Sequence, residues 1–299
     1  MRIYIISDIH IDFSANHDWL KKLSSLEYQD DALILAGDVS HNFDQFRRTL
    51  SELRIKFKHL FFVPGNHDLW IRSESWQDSL HKFQEILQFC DQNEIIYRPH
   101  PLNAAGSNAP LIVPLFSWYT QPDEGEESLY LEKPGEDAGN RMWSDNYFVK
   151  WPNHSPNIFR ADKYFTGLNA IGHITKSELP VISFSHFLPR QEMMFSADRH
   201  YDLQRMKKYD RNPPFNFSRV AGSTLIEKQI RQIKSRIHIY GHQHINRDRV
   251  IDGVRYVAHC LGYPNERSRG SVKGLEQGLK LIWDTNRGEN DRPAEDHQT

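Results

Sequence analysis

The sequence predicts an α/β fold, a parallel β-sheet with helices against its faces. Two observations predict it. Over residues 3–63, short runs of Ile, Leu, Val and Phe alternate with amphipathic helical patterns, the order of a parallel sheet with crossover helices. Five apolar runs along the chain then end abruptly in Asp, Asn or His. The C-terminal edge of such a sheet is where ligands bind.

The elements follow in order. Ile3-Tyr4-Ile5-Ile6 is the first strand and ends at Ser7-Asp8-Ile9-His10. Trp19, Leu20, Leu23 and Leu26 recur at helical spacing. Residues 32–36 form a second strand that ends at Gly37-Asp38, and Phe43, Phe46, Leu50 and Leu53 mark the next helix. The third strand, residues 60–63, stops at a Pro64-Gly65 turn followed at once by Asn66-His67-Asp68. Another helix runs through Trp76, Leu80, Phe83, Ile86 and Leu87, and residues 95–97 and 111–113 read as strands. From about 118 to 179 the character changes to an acidic loop and then an aromatic-rich stretch. We read this as an insertion over the sheet edge, its aromatics serving packing. Regular order resumes at residues 181–184, ending at Ser185-His186. A basic, poorly patterned segment, 199–219, precedes a helix at 225–233 and a strand at 237–240 that ends at Gly241-His242-Gln243-His244. Asp252-Gly253 between two apolar runs is a hairpin turn. Residues 279–283 form the last strand. The polar stretch 286–299 is expected to be a disordered tail, leaving 1–285 as one domain that carries the insertion.

Composition narrows the function. Apolar residues make up 38% of the 299, enough for a sizeable core, and the net charge of −2 disfavours nucleic-acid or membrane-surface binding. The two cysteines, Cys90 and Cys260, form no metal or redox spacing and read as buried reduced thiols. Asp8 interrupts the first apolar run too early for a signal peptide, and no apolar stretch approaches the roughly 20 residues of a membrane span. A soluble, cytoplasmic protein is expected.

In a parallel sheet the strand C-termini share one edge, so Asp8, His10, Asp38, Asn66, His186, His242 and His244 should converge there. Carboxylates, imidazoles and an Asn oxygen suit divalent Mn, Fe, Zn or Ni. The chemistry that wants this set is a two-metal hydrolytic site, in which a metal-bridging hydroxide attacks a phosphate ester. His67 adjoins a ligand yet points elsewhere, which suits it to assist the leaving group. Asp68 could orient His67 or nearby backbone, or cap a helix.

The blocks Asp8-Ile9-His10, Gly37-Asp38, Gly65-Asn66-His67-Asp68, His186 and Gly241-His242-Gln243-His244 resemble the ordered motifs of the calcineurin-like metallophosphoesterase superfamily. The resemblance implies a four-layer αββα sandwich with two central mixed β-sheets and a loop and helical insertion over the metal site. It also implies a small phosphorylated substrate, a monoester or diester. Asp8, His10, Asp38 and His244 would bind one metal ion; Asp38, bridging, with Asn66, His186 and His242 would bind the second, and His67 would stand near the leaving group. Departures are informative. Val39-Ser40-His41 follows Asp38, unlike the protein Ser/Thr phosphatases, and His41 stands where purple acid phosphatases carry a tyrosine ligand. Arg190, shortly after His186, either binds a substrate phosphate, because its planar fork matches phosphate oxygens, or makes a salt bridge at the surface. Two other readings are a non-catalytic metal-binding scaffold, which would be expected to lack several ligands, and a nuclease, which would want a basic groove such as Arg205, Lys207 and Lys208 could supply.

Overall fold

A computed structural model describes residues 1–72, 76–102, 108–152, 159–172, 174, 177–209, 212, 214–275 and 278–295, without the side chains of Tyr201, Arg205, Met206 and Tyr209. The first part of the chain forms β1 (Arg2–Ile6), α1 (Ser14–Lys21), β2 (Ala32–Leu35), α2 (Phe43–Lys56), β3 (His59–Phe62) and α3 (Ser79–Gln92). Then come β4 (His100–Pro101), β5 (Leu111–Pro114), α4 (Asp145–Phe148), α5 (Ala161–Gly167), β6 (Val181–Phe184) and α6 (Arg199–Tyr209). The last part forms α7 (Thr224–Gln232), β7 (Ile237–Tyr240), β8 (Arg247–Ile251), β9 (Val254–Ala258), α8 (Pro264–Ser268), β10 (Lys280–Asp284) and β11 (Gly288–Glu289).

These strands make two mixed sheets, ordered β11-β10-β1-β2-β3 and β4-β5-β6-β7-β9-β8. In the first, β1, β2 and β3 are parallel; in the second, β5, β6, β7 and β9 are. The antiparallel β10, β4 and β8 join later or at the edges. β2, β5, β6 and β7 are buried along their whole length, which is why they read as unbroken apolar runs. One apolar core joins Ile5, Leu33 and Phe61 of the first sheet to Ile182, Ile239 and Val257 of the second, and helices cover the outer faces. This is the expected αββα sandwich.

Local chemistry sets the helices. Asn42 accepts the Gln45 N–H at 2.9 Å ahead of α2, and Asp78 accepts the His81 N–H at 2.8 Å ahead of α3. Each such cap is worth about 1 kcal/mol. Asp252 and Gly253 both have positive φ, 48° and 79°, the geometry of a two-residue hairpin turn between β8 and β9.

The two sheets meet at their strand ends. Beyond β9 the chain runs on beside the end of β1, where the Ser7 N–H donates to His259 O at 2.9 Å and the Leu261 N–H to Ser7 O at 3.0 Å. The edge that carries the ligands is therefore shared by both sheets.

Three expectations are corrected. Residues 95–97 contribute one bridge, Phe61 to Ile96, instead of a strand; the pairing at that edge falls to β4. The segment beginning at Arg199 opens with a helix, α6, which carries no apolar stripe and so gave no periodic signal. The stretch 286–295 is not a disordered tail. β11 pairs with β10, and Glu289 accepts from Arg236 at 2.8 Å and reaches the wholly buried Arg255 at 3.4 Å. Asn290 O and Asp291 O also accept from Arg255, whose remaining partner is Asp248. Residues 296–299 lie outside the described residues. Removing one side of a buried charge cluster costs about 3–5 kcal/mol. Deletion of 286–299 is therefore expected to lower the urea unfolding free energy by about 3 kcal/mol; an unchanged midpoint would show that Asp248 alone satisfies Arg255.

Among the described residues no helix is long and apolar enough to cross a membrane.

Candidate metal centre

Each predicted ligand sits just past the end of a strand. Asp8 and His10 follow β1, Asp38 follows β2, Asn66 follows β3, His186 follows β6, and His242 and His244 follow β7. Five of them, Asp8, His10, Asp38, His242 and His244, have φ between 36° and 73°. Residues with a Cβ seldom adopt that left-handed conformation, and short polar residues tolerate it best. The chain thus turns sharply at the ends of β1, β2 and β7, where these five residues sit.

One candidate ligand atom from each of Asp8, His10, Asp38 and His244 lies within 4.8 Å of all the others, so this group could hold a metal ion. Nε2 of His10 and Nε2 of His244 face each other at 3.0 Å, and His244 Nε2 is 3.4 Å from Asp8 Oδ1. His10 Nδ1 is buried and has no hydrogen-bond partner among the described residues. Asp38 Oδ2 lies 3.7 Å from His10 Nε2 on one side and 3.5 Å from His186 Nε2 on the other. His186 Nε2 is in turn 3.2 Å from Asn66 Oδ1, and the His242 ring centroid is 5.1 Å from that of His186.

The electrostatics fit added cations. Burial, then the neighbouring Asp8 and Asp68 carboxylates, pushes Asp38 well above the usual carboxylate range. Burial holds His10 and His242 well below the usual imidazole range, so their nitrogens are neutral donors. His244 differs: although burial opposes it, the Asp8 and Glu266 carboxylates raise it to about 10, so a cation there would take the place of its proton. Carboxylate oxygens with imidazole nitrogens are the donor set of a divalent first-row ion.

The far nitrogen of three imidazoles is fixed. His186 Nδ1 bonds Ala36 O at 2.9 Å, His242 Nε2 bonds Val220 O at 2.9 Å, and His244 Nδ1 bonds Glu266 at 2.8 Å. Such contacts select the nitrogen left to face an ion. Space is equally controlled. A Cβ on Gly65 would overlap Asp38 Oδ1 and come within 2.7 Å of His186 Cε1.

Asp68 takes the second of its expected roles. Its two oxygens accept four backbone N–H groups, from Asp38, Val39, Ser40 and Gly65, at 2.9–3.1 Å. It therefore ties the Asp38 turn to the Gly65 turn and does not touch the His67 ring. His67 stands beside the ligands, with Nε2 4.0 Å from Asp38 Oδ2 and its ring stacked on Trp70 at 3.6 Å. His41 is paired with Asp12 at 2.9 Å. Arg190 takes the salt-bridge alternative. Its guanidinium is held by Glu192, Glu227 and Asp252 at 2.7–3.3 Å, which gives the fork a structural role in tying α7 to the β8–β9 turn.

Three residues escaped the sequence reading. Asp145, in the insertion, is buried and accepts from Asn66 Nδ2 at 2.9 Å, Trp70 Nε1 at 2.6 Å and Trp143 Nε1 at 3.0 Å. One carboxylate thus turns the Asn66 oxygen inward and fixes the indole under His67. Burial pushes Asp145 up to about 6 against these donors. Glu266 and Tyr263, beside His10 and His244, are the other two. No spacing in the sequence links any of them to the ligand blocks. Asp145→Asn would set an N–H against one of these donors. It is expected to weaken metal binding at Asn66 about tenfold; calorimetric titration with Mn reads this, and unchanged affinity would refute the role of Asp145 in orienting Asn66.

A cavity of about 370 Å³ lined by Arg54, His59, Cys90, Tyr97 and His100 holds none of these ligands.

The comparisons agree with this geometry. The family model described as calcineurin-like phosphoesterase matches residues 1–246. The chain belongs to that family. It is accordingly a hydrolase of phosphate esters. It is 27% identical over 293 residues to the [acyl-carrier-protein] phosphodiesterase PptH of Mycobacterium tuberculosis, covering 93% of this chain and 83% of the relative. A crystal structure of the phosphopantetheinyl hydrolase PptH from Mycobacterium tuberculosis superposes with a TM-score of 0.70 at 22% identity, covering 94% of this chain and 95% of that one. The family fold is thus shared from end to end.

Proposed function

We propose that this chain is a dinuclear-metal phosphodiesterase. Asp8, His10, Asp38 and His244 would hold one divalent ion, and Asp38, Asn66, His186 and His242 would hold the second, as Mn, Fe, Zn or Ni. The observation that carries the reading is the position of Asp38 Oδ2 between His10 and His186, while Oδ1 is taken by the His67 backbone N–H at 2.9 Å. One oxygen is anchored and the other is left free to serve both ligand groups. Two such ions, when bound, supply charge to the phosphate oxygens and acidify the attacking water.

The side chains supply the rest. His67 Nε2 faces the ligand cluster and is placed to give a proton to the departing oxygen. Its stacking on Trp70, itself bonded to Asp145, keeps the ring in one plane. Trp143, Phe187 and Phe217 stand against His242 at centroid distances of 5.6, 4.6 and 5.3 Å and wall the second position with apolar surface. That wall, and the likeness to an acyl-carrier-protein phosphodiesterase, support a diester with an organic arm, here a phosphopantetheinyl group on a carrier protein. Complete, buried ligand sets argue against a scaffold, and the Arg190 ion pairs remove one cation a nuclease groove would use. Arg205, another, has a side chain outside those described. The buried free thiols Cys90 and Cys260 support a reducing, cytoplasmic setting.

The test is to strip the protein of metal, resupply Mn, Fe, Zn or Ni, and compare bis-p-nitrophenyl phosphate, p-nitrophenyl phosphate and a phosphopantetheinylated carrier protein. Metal-dependent hydrolysis of the diester and release of the carrier's arm are expected; turnover of the monoester alone would overturn the reading. His67→Ala should retain both ions and lose about 10²-fold in kcat, most for poor leaving groups. A fall in metal content instead would make His67 a ligand.

A further inference from the structure

Past residue 246, where the family match ends, the chain returns to the site. Gly262-Tyr263-Pro264-Asn265-Glu266 leads into α8, and the segment is built with little freedom. Gly262 has φ +64°, and a Cβ there would come within 3.0 Å of Glu266 and Val272. Its carbonyl accepts from Asn16 Nδ2 and from Arg267, each at 2.9 Å. Glu266 Oε2 accepts the Tyr263 backbone N–H at 2.7 Å and also meets His244 Nδ1 at 2.8 Å. The carboxylate that orients a ligand therefore also positions Tyr263.

The phenol is aimed by this frame. Its ring lies against His10 and His244, with centroids 4.6 and 4.7 Å apart, and against Phe13 at 5.3 Å. Its hydroxyl lies 3.3 Å from His67 Nε2, its one hydrogen-bond partner among the described residues. The ring is only part-buried, so packing alone leaves the polar tip unexplained. A buried or half-buried phenol ordinarily finds a firm partner for its O–H. Here the partner is a long contact to the group that faces the leaving oxygen.

We propose that Tyr263 is a further catalytic residue: its hydroxyl donates a hydrogen bond to the phosphate ester on the side from which the leaving group departs. The inference rests on the phosphodiesterase reading for the identity of the ligand. In the resting site the His67 Nε2–H can donate to the Tyr263 oxygen. When the ester arrives that contact opens, the phenol O–H turns to a phosphate oxygen, and His67 keeps its Nε2 proton to face the departing oxygen. A neutral donor in a water-poor site stabilises charge that grows on those oxygens in the transition state.

The experiment uses Tyr263→Phe, alone and with His67→Ala, in metal-reconstituted full-length protein. Metal per chain, kcat and KM for bis-p-nitrophenyl phosphate, and calorimetric affinity for inorganic phosphate are measured. Expected are unchanged metal content, phosphate affinity weaker by about tenfold, and kcat lower by about 10²-fold, with a loss that persists in the His67→Ala background. Unchanged phosphate affinity, a fall in metal content, or a loss that vanishes once His67 is gone would each overturn the proposal. The last would leave Tyr263 a positioning residue for His67. If the wild type hydrolyses no ester, the diesterase reading falls, and phosphate affinity alone decides: a tenfold drop upholds the contact, and no drop ends it.

Discussion

Asp38→Asn is expected to abolish turnover, by on the order of 10³-fold, with both metal ions weakened and the metal-free fold intact. Changing a partner that only orients a ligand costs 10–100-fold in metal affinity. On the proposed two-ion reading a charged ligand common to both positions is lost, so the two costs compound. The amide cannot evade the problem by rotating. One Asp38 oxygen accepts the His67 backbone N–H at 2.9 Å, so an NH2 group there would set donor against donor. Turned the other way, the NH2 group faces His10 and His186 at the point where both ions need an oxygen. Metal-free stability should be unchanged or slightly raised, because the carboxylate is disfavoured by burial and by Asp8 and Asp68. Metal analysis with thermal melting of the stripped protein separates the two effects. Full occupancy with normal turnover would refute the bridge.

Gly65→Ala is expected to do comparable damage through shape alone. Gly65 is not in the left-handed region, so its requirement is space and not backbone freedom. The added methyl overlaps Asp38 Oδ1 and crowds His186 Cε1 at 2.7 Å, so one ligand or the other must move. Neither can do so cheaply: Asp38 is tied to His67, and His186 to Ala36 O. Overpacking of this kind costs about 1–3 kcal/mol in stability. Displacing a ligand by an ångström is enough to cost about 10²-fold in rate. Circular dichroism melting, metal content and kcat test this together; a variant with wild-type turnover would sink it.

The convergence of the candidate ligand blocks was legible in the sequence because the fold writes them locally. An apolar strand, a turn and a candidate ligand lie within ten residues of one another at β1, β2, β3, β6 and β7. The hairpin at Asp252-Gly253 was legible for the same reason. What stayed hidden depends on contacts across the fold. Asp145 meets Asn66 across 79 positions, and Tyr263 meets His67 across 196. Glu266 was hidden in a different way. Three residues past Tyr263 and two past Pro264, it reads as an ordinary helix start, and its bond to His244 leaves no mark on that pattern. Arg190 stayed open between two roles because guanidinium chemistry is the same whether its anion is a substrate or Glu227 and Asp252. The stretch after Asn286 looked polar because its work is to receive a buried arginine, and receiving one takes carboxylates and carbonyls.

The left-handed turns at Asp8, His10, Asp38, His242 and His244 bear on how such a protein can decay. A side chain in that conformation costs about 1–2 kcal/mol relative to glycine. Replacing any one of them with glycine relaxes the backbone at the position where it removes a ligand. The turn strain and the candidate ligands therefore sit on the same residues, and the bonds that Asp38 and Asp8 accept from the His67 and His242 N–H groups offset part of that strain in the fold.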